Sequence, residues 1–305
     1  MAVGRRSIRL TTRLTLAALN AASVVTGVVP RDRLAEPICR LAGAAWYLSS
    51  AVAREAVHDN LRHVLGRAPT RAEVVRVFHH GALNYWDTFA TQHFSRQQII
   101  DLVDMTGLDH IDAALLAGRG VICATAHIGS VSFVGQILPA LGYPLVSLLE
   151  PLQPPEIYEF FARQRQTFGS RLFPVSTSGL REILQALHRN QVVGLVSDRD
   201  ITGTGPFIPF FGTPTRFPDG AAALSLRTGA PILIAVTARK AGGRFDAWIE
   251  PLRPPPPAGD ARQDVVRLTQ AVAQRLEYYV ANHPEQWTVF QKRWPPEHPA
   301  HETYG

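Results

Sequence analysis

The sequence predicts an α/β fold: a mixed, mainly parallel sheet flanked by helices, joined to a helical N-terminal region. Two observations carry this. After Gly107, short apolar runs alternate with helical segments at the pitch of strand–crossover–strand units. Before it, the periodicity is helical for about a hundred residues. With 305 residues, 46% of them hydrophobic, the chain has enough apolar material for a full core. The expected organisation is a helical region over 1–100, an α/β region over 101–294 that forms one domain with those helices, and a loose tail over 295–305.

The N-terminal stretch begins with Arg5, Arg6, Arg9 and Arg13 ahead of apolar residues from Leu14 to Val29. A basic start before small apolar residues is one signal-peptide pattern. Thr15, Asn20, Ser23, Thr26 and Gly27 interrupt it and Pro30 stops it, which argues against a spanning helix of about 20 apolar residues. Leu10, Leu14, Ala17, Ala21, Val24 and Val28 fall at helical spacing, so this helix either lies in a membrane interface or packs on its own domain. A second apolar helical stretch runs from Leu34 to Leu65. Thr70 and Glu73 then form a capping box for a helix whose inward face is Val74, Val77, Phe78, Gly81 and Tyr85.

The strand candidates are Gly120–Ala126, Pro144–Leu149, Leu172–Val175, Val192–Ser197, Pro231–Ala238 and Phe245–Glu250. Helices are expected at Ser132–Leu141, Glu156–Phe168, Leu180–His188 and Asp219–Arg227, and a last one at Asp264–Asn282. Gly242 and Gly243 mark a hairpin, so the last two strands are expected antiparallel.

The formal charge of +6 and pI of about 9.7 predict an anionic partner: nucleic acid, a phospholipid surface or a phosphorylated substrate. The arginines are scattered and no recognition motif accompanies them, which disfavours nucleic acid. Cys39 and Cys123, the only two cysteines, read as core residues of a reducing compartment, and no zinc spacing or other metal site is present. No G-x-S-x-G elbow surrounds Ser130 or Ser132, Gly203-Thr204-Gly205 lacks a third glycine, and no phosphate loop occurs.

Two constellations remain. His127 ends the buried run from Gly120, and Ser197-Asp198-Arg199-Asp200 follows the run Val192–Val196. A parallel sheet puts both at its carboxyl edge, where α/β folds bind ligands. His127 is the expected base, and Asp198, Arg199 and Asp200 are expected to shape a substrate pocket. Arg163 and Arg165 are two apart on a helix, so only one can face the site, where its planar fork would suit a phosphate. Phe207, Pro209, Phe210, Phe211 and Gly212 form an aromatic loop suited to an acyl-chain groove, or else a covered turn. His58, His63, His79 and His80 read as surface or capping residues.

The order of these motifs resembles the bacterial lipid A biosynthesis acyltransferase family. Asn60 in the segment Arg54–Leu61, the strand ending in His127, the S-D-R-D loop, F-F-G at Phe210–Gly212, His283-Pro284-Glu285-Gln286-Trp287 and Lys292-Arg293-Trp294 carry the resemblance. Within the family, the phosphatidylinositol mannoside acyltransferases are similar through Ser197–Thr202 and Phe210–Gly212. The resemblance implies a glycerol-3-phosphate acyltransferase-like fold. It also implies a membrane-associated enzyme that moves a fatty acyl group to a hydroxyl of a glycolipid or lysophospholipid. Acyl-CoA or acyl carrier protein would be the co-substrate, with no other cofactor. The implied partners are a membrane lipid acceptor and an anionic membrane surface. The implied location is the cytoplasmic face of the plasma membrane, held peripherally or monotopically.

The motif implied for catalysis is a histidine followed by an acid, H-x-x-x-x-[DE], and here Ser132 stands at the acid's place. A hydroxyl accepts a hydrogen bond but brings no charge. The resemblance also implies a glutamate shortly before F-F-G, where this chain has Phe207. Three explanations follow: Asp198 or Asp200 supplies the carboxylate beside His127; the enzyme, with Ser132 at that place, is slow or uses a different acceptor; or the chain is a non-catalytic lipid-binding or scaffold member.

Overall fold

The computed structural model describes residues 10–29 and 31–294, with Asp32 described in its backbone alone. The arginines Arg5, Arg6 and Arg9, the stop at Pro30 and the expected loose tail from Pro295 lie outside the described residues.

Helix α1 (Leu10–Val28) forms where the apolar spacing predicts it, but it seats the opposite face on the protein. Thr12, Ser23 and Thr26 are its buried residues, while Leu14 and Val28 are 63% and 75% exposed. Small hydroxyl side chains let α1 approach closely, and Gln92 donates to Ser23 Oγ. Leu16, Leu19 and Ala22 rest on Phe89, Phe160 and Phe161. A π-helical turn (Arg31–Ala35) leads into α2 (Glu36–Ser49). The expected long helix is divided here, because Ser50 adopts an extended backbone and its hydroxyl caps α3 (Ala51–Leu65). The capping box opens α4 (Arg71–Ala90) as predicted, with Glu73 accepting the Thr70 N–H at 2.7 Å and Thr70 accepting the Glu73 N–H at 3.3 Å. Among the described residues, no helix is long and apolar enough to cross a membrane.

Short α5 (Arg96–Asp101) leads to strand β1 (Val103–Thr106), which the sequence did not signal because only two of its four residues are apolar. After it come α6 (Asp109–Leu116), β2 (Val121–Thr125), α7 (Val131–Val134), α8 (Ile137–Ala140), β3 (Leu145–Leu149), α9 (Pro155–Gln164), β4 (Arg171–Pro174), α10 (Thr177–His188) and β5 (Val192–Val196). The hairpin β6 (Phe207–Phe210) and β7 (Thr213–Arg216) precedes α11 (Gly220–Thr228), β8 (Ile232–Arg239), β9 (Phe245–Pro251) and α12 (Ala261–Asn282).

Seven strands form one sheet in the order β1-β9-β8-β2-β5-β3-β4. Strands β8, β2, β5, β3 and β4 run parallel, β9 is antiparallel to β8, and β1 is parallel to β9. The sheet is therefore mixed and mainly parallel, as expected. Side chains alternate across β2: Ile122 and Ala124 meet α10, α11 and α12 on one face, and Val121 and Cys123 meet α6 on the other. Burial on both faces explains why the sequence shows β2 as a continuous apolar run.

The segment expected as one helix over Ser132–Leu141 is two short helices broken at Gly135–Gln136. Gln136, at the break, is buried, and its side-chain amide ties the turn to the end of α9: it donates to the Arg165 carbonyl and accepts the Phe168 N–H at 3.2 Å.

The aromatic loop is the β6–β7 hairpin. Phe211 and Gly212 take φ of 51° and 72°, the left-handed pair that a two-residue hairpin needs. Phe210 is fully buried, stacked on Trp294 at 5.7 Å between centroids, and Phe207 lies under Arg216 at 4.3 Å. The loop is thus a covered turn.

Candidate active site

Strands β2 and β5 are neighbours in register, Thr125 beside Val196, so the residues that follow them leave the sheet at one level. The Ser197 N–H continues the ladder to the Thr125 carbonyl at 2.7 Å. Two residues beyond each strand come His127 and Asp198. Gly129 lets the chain turn away sharply: its φ is 62°, and a Cβ there would lie 2.6 Å from the Thr237 carbonyl oxygen on β8.

The His127 Nδ1–H donates to Asp198 Oδ1 at 2.7 Å, and its backbone N–H donates to Oδ2 at 2.8 Å. The indole N–H of Trp287 also reaches Oδ2, at 2.7 Å. Asp198 is completely buried, which by itself raises a carboxyl pKa. The facing His127 charge and these hydrogen bonds outweigh burial and hold it down to about 2. With Nδ1 occupied, the remaining ring nitrogen, Nε2, is the one available as a base, and the His127 side chain is one-third exposed.

His127 opens onto a cavity of about 560 Å³. Asn84, Tyr85 and Thr88 of α4 form one wall, and Arg199, Asp200, Thr202 and Thr204 another. Thr288 to Gln291, from the strap that follows α12, close a third side. That strap is fastened from far away in sequence. Asn60 donates to the carbonyls of Val289 and Gln291 at 3.0 and 2.9 Å and accepts the Arg293 N–H at 2.9 Å. Gln286 is paired both ways with the backbone of Arg239.

A second cavity of about 150 Å³ lies between the sheet and α7–α8, lined mostly by apolar side chains such as Cys123, Ile137, Leu145 and Ile249. The two share Val131, Ser132, Leu148, Leu149, Arg165 and Val196, which form the wall between them. Ser132 therefore stands in the wall that the two cavities share, while the carboxylate on His127 comes from Asp198. The burial of Cys123 pushes its thiol up to about 12, as befits a core residue.

Of the two arginines on and after α9, Arg165 lines both cavities and Arg163 is exposed outside them. Burial lowers the pKa of Arg165, its guanidinium lies 5.8 Å from the Phe161 ring, and among the described residues no carboxylate pairs with it. Its Nε is buried without a partner. Arg199 is ion-paired with Glu150. Asp200 points into its own loop, with Oδ1 accepting the Thr202 and Gly203 N–H groups at 2.9 and 3.1 Å, and Oδ2 accepting the Gly205 N–H at 2.9 Å. The expected pocket is thus bordered by Arg199 and Asp200, whereas Asp198 lies behind His127. Sequence reasoning gave Trp287 no role, because nothing local announces a bond to a residue so far back in the chain.

No group of three histidine, cysteine or acidic side chains suited to a metal occurs among the described residues. What the arrangement offers is a histidine with a free Nε2, oriented by a buried carboxylate, an unpaired cation lining the same cavity, and an apolar recess.

Comparison with known proteins agrees with that chemistry. A family model described as bacterial lipid A biosynthesis acyltransferase matches residues 2–295. The phosphatidylinositol mannoside acyltransferase of Mycobacterium tuberculosis is 34% identical over 253 residues, covering 79% of this chain and 77% of that protein. The protein of the same name in Mycolicibacterium smegmatis is 31% identical, covering 79% of each. The lipid A biosynthesis acyltransferase of Haemophilus influenzae is 24% identical, covering 63% of this chain and 59% of that protein. The chain belongs to the bacterial lipid A biosynthesis acyltransferase family and is an acyltransferase.

Proposed function

We propose that this acyltransferase moves a fatty acyl group from a thioester donor, acyl-CoA or acyl carrier protein, to a hydroxyl of a membrane glycolipid or lysophospholipid. The observation that carries the reading is the buried Asp198 on His127 Nδ1, which supplies the carboxylate that Ser132 does not. The non-catalytic alternative drew on that missing acid and has no other support.

In this reading the acceptor hydroxyl gives its proton to His127 Nε2 as its oxygen attacks the thioester carbonyl. Asp198 steadies the imidazolium. The negative oxygen of the tetrahedral intermediate draws on the unpaired Arg165 guanidinium in its low-dielectric wall. Collapse breaks the carbon–sulfur bond, and the departing thiolate takes the proton from His127. Arg199 and Asp200 border the acceptor's head group, and Arg163 stays outside. The apolar cavity beyond Ser132 takes the acyl chain, each buried methylene contributing about 0.8 kcal/mol. An apolar occupant suits a neutral residue in the shared wall: a carboxylate at position 132 would be desolvated beside it.

The exposed apolar face of α1 supports peripheral attachment to an anionic bilayer, at its cytoplasmic side, where Arg13 lies on the same helix. The test is transfer of a labelled acyl group from acyl-CoA to candidate glycolipids in vesicles, wild type against His127→Ala. Transfer by the wild type that falls about a thousandfold in the variant is expected. A wild type no more active than His127→Ala overturns the reading.

A further inference from the structure

We propose that Trp287 is a positioning residue for the base: its indole N–H holds the Asp198 carboxylate charged and aimed at His127. The strap that carries it touches both members of the pair. Trp287 reaches the acid through its ring, at 2.7 Å from Oδ2. Its backbone bridges Ile128, and the next residue, Thr288, donates its N–H to the His127 carbonyl at 2.9 Å. A movement of the strap therefore moves acid and base together.

The indole is well held. Trp287 is 2% exposed, packed against Phe210 and Trp294 at 6.1 and 6.3 Å between centroids. Gln286, just before it, is fixed to Arg239. An indole nitrogen donates and does not accept or titrate, so at every working pH it favours the ionised carboxylate. Asp198 is fully buried, and the donors that reach it are the His127 ring, the His127 backbone and Trp287. The other charged groups around it are Arg199 and Asp200 on its own loop and the buried Arg293 of the strap, whose guanidinium feels both aspartates. None of these aims the carboxylate as the indole does.

The inference rests on His127 acting as the base. Two variants test it: Trp287→Phe, and replacement of Trp287 by benzothienylalanine, which keeps the two-ring shape but lacks the N–H. With one donor gone, the carboxylate is more basic, and the His127–Asp198 pair holds its proton to higher pH. The expected result is a rise of about half to one pH unit in the pair's titration, read by magnetic resonance on labelled histidine and assigned with His127→Gln. The acid limb of kcat/KM moves with it, kcat falls about tenfold, and KM for the donor is unchanged. A tryptophan that only fills space would leave the titration of the benzothienylalanine enzyme unmoved, and that result overturns the proposal. If wild type is no more active than His127→Ala, the base assignment fails, while the titration still decides whether the indole sets the pair.

Discussion

Asp198 grips His127 twice, one oxygen at the ring Nδ1 at 2.7 Å and the other at the backbone N–H at 2.8 Å. The double contact fixes both the tautomer and the direction of the ring. Asp198→Asn keeps the shape but removes the charge and presents an amide where an acceptor is needed. Its kcat is expected to fall by about 10³–10⁴. Ser132→Ala, in the same transfer assay, is expected to stay within about threefold of wild type, because the hydroxyl carries no charge in the pair.

The same carboxylate ties stability to pH. Its folded pKa is about 2, below the 3.8 of the free side chain. Its stabilising contribution is therefore complete above the unfolded value and is lost as pH falls from about 4 toward 2. A shift of this size is worth about 2 kcal/mol. Urea unfolding of wild type and Asp198→Asn at a series of acid pH values measures it: the wild type should lose more stability than the variant across that window.

A second buried charge cluster lies where α4, β8 and the turn after α1 meet. Asp87 is 1% exposed, ion-paired with Arg239 and 3.5 Å from Arg31, which also donates to the Gly243 carbonyl at 2.7 Å. Asp87→Ala strands two partly or wholly buried guanidinium groups. The expected cost is about 3–5 kcal/mol in chemical unfolding. Arg31→Ala leaves the Asp87–Arg239 pair and should cost less.

Gly129 is pressed against β8 in a left-handed conformation. Gly129→Ala puts a methyl group into the Thr237 carbonyl and displaces the turn that starts at His127. Transfer activity is expected to drop at least tenfold with a loss of about 1–3 kcal/mol in stability, since both strain and contact oppose it.

The outward face of α1 makes its own prediction. Leu14→Glu with Val24→Glu changes residues that are 63% and 64% exposed. Sedimentation with anionic vesicles should fall sharply while the melting temperature stays within a few degrees, because surface changes of this kind cost about half a kcal/mol each. Unchanged sedimentation would show that α1 is not what meets the lipid.

Much of the fold was legible because its strands are buried on both faces and its helices repeat at the helical period. The six apolar runs became strands β2, β3, β4, β5, β8 and β9, and the Gly242–Gly243 hairpin joins the last two. Edge strand β1 and the Pro-containing hairpin β6–β7 were not, since Val103–Thr106 is half polar and Pro209 and Pro214 interrupt the alternation. For the site, His127 and the Asp198 loop were legible as strand ends. Their direct pairing stood only as one of three explanations, with Asp198 and Asp200 not told apart, because adjacency of β2 and β5 is a property of the sheet order, not of either segment. The face of α1 was left open for a different reason: apolar periodicity says which residues share a stripe, not whether that stripe meets the protein, and here hydroxyl residues that allow close approach face the protein instead.

The strap also sets an order of events in time. Strands β2 and β5 are synthesised well before Trp287, so a chain on the ribosome carries His127 and Asp198 while the residue that seats the carboxylate does not yet exist. Helix α1, made first, can find its resting surface during that interval. Asp198 is thus seated last: the third of its donors arrives only after translation has passed residue 287.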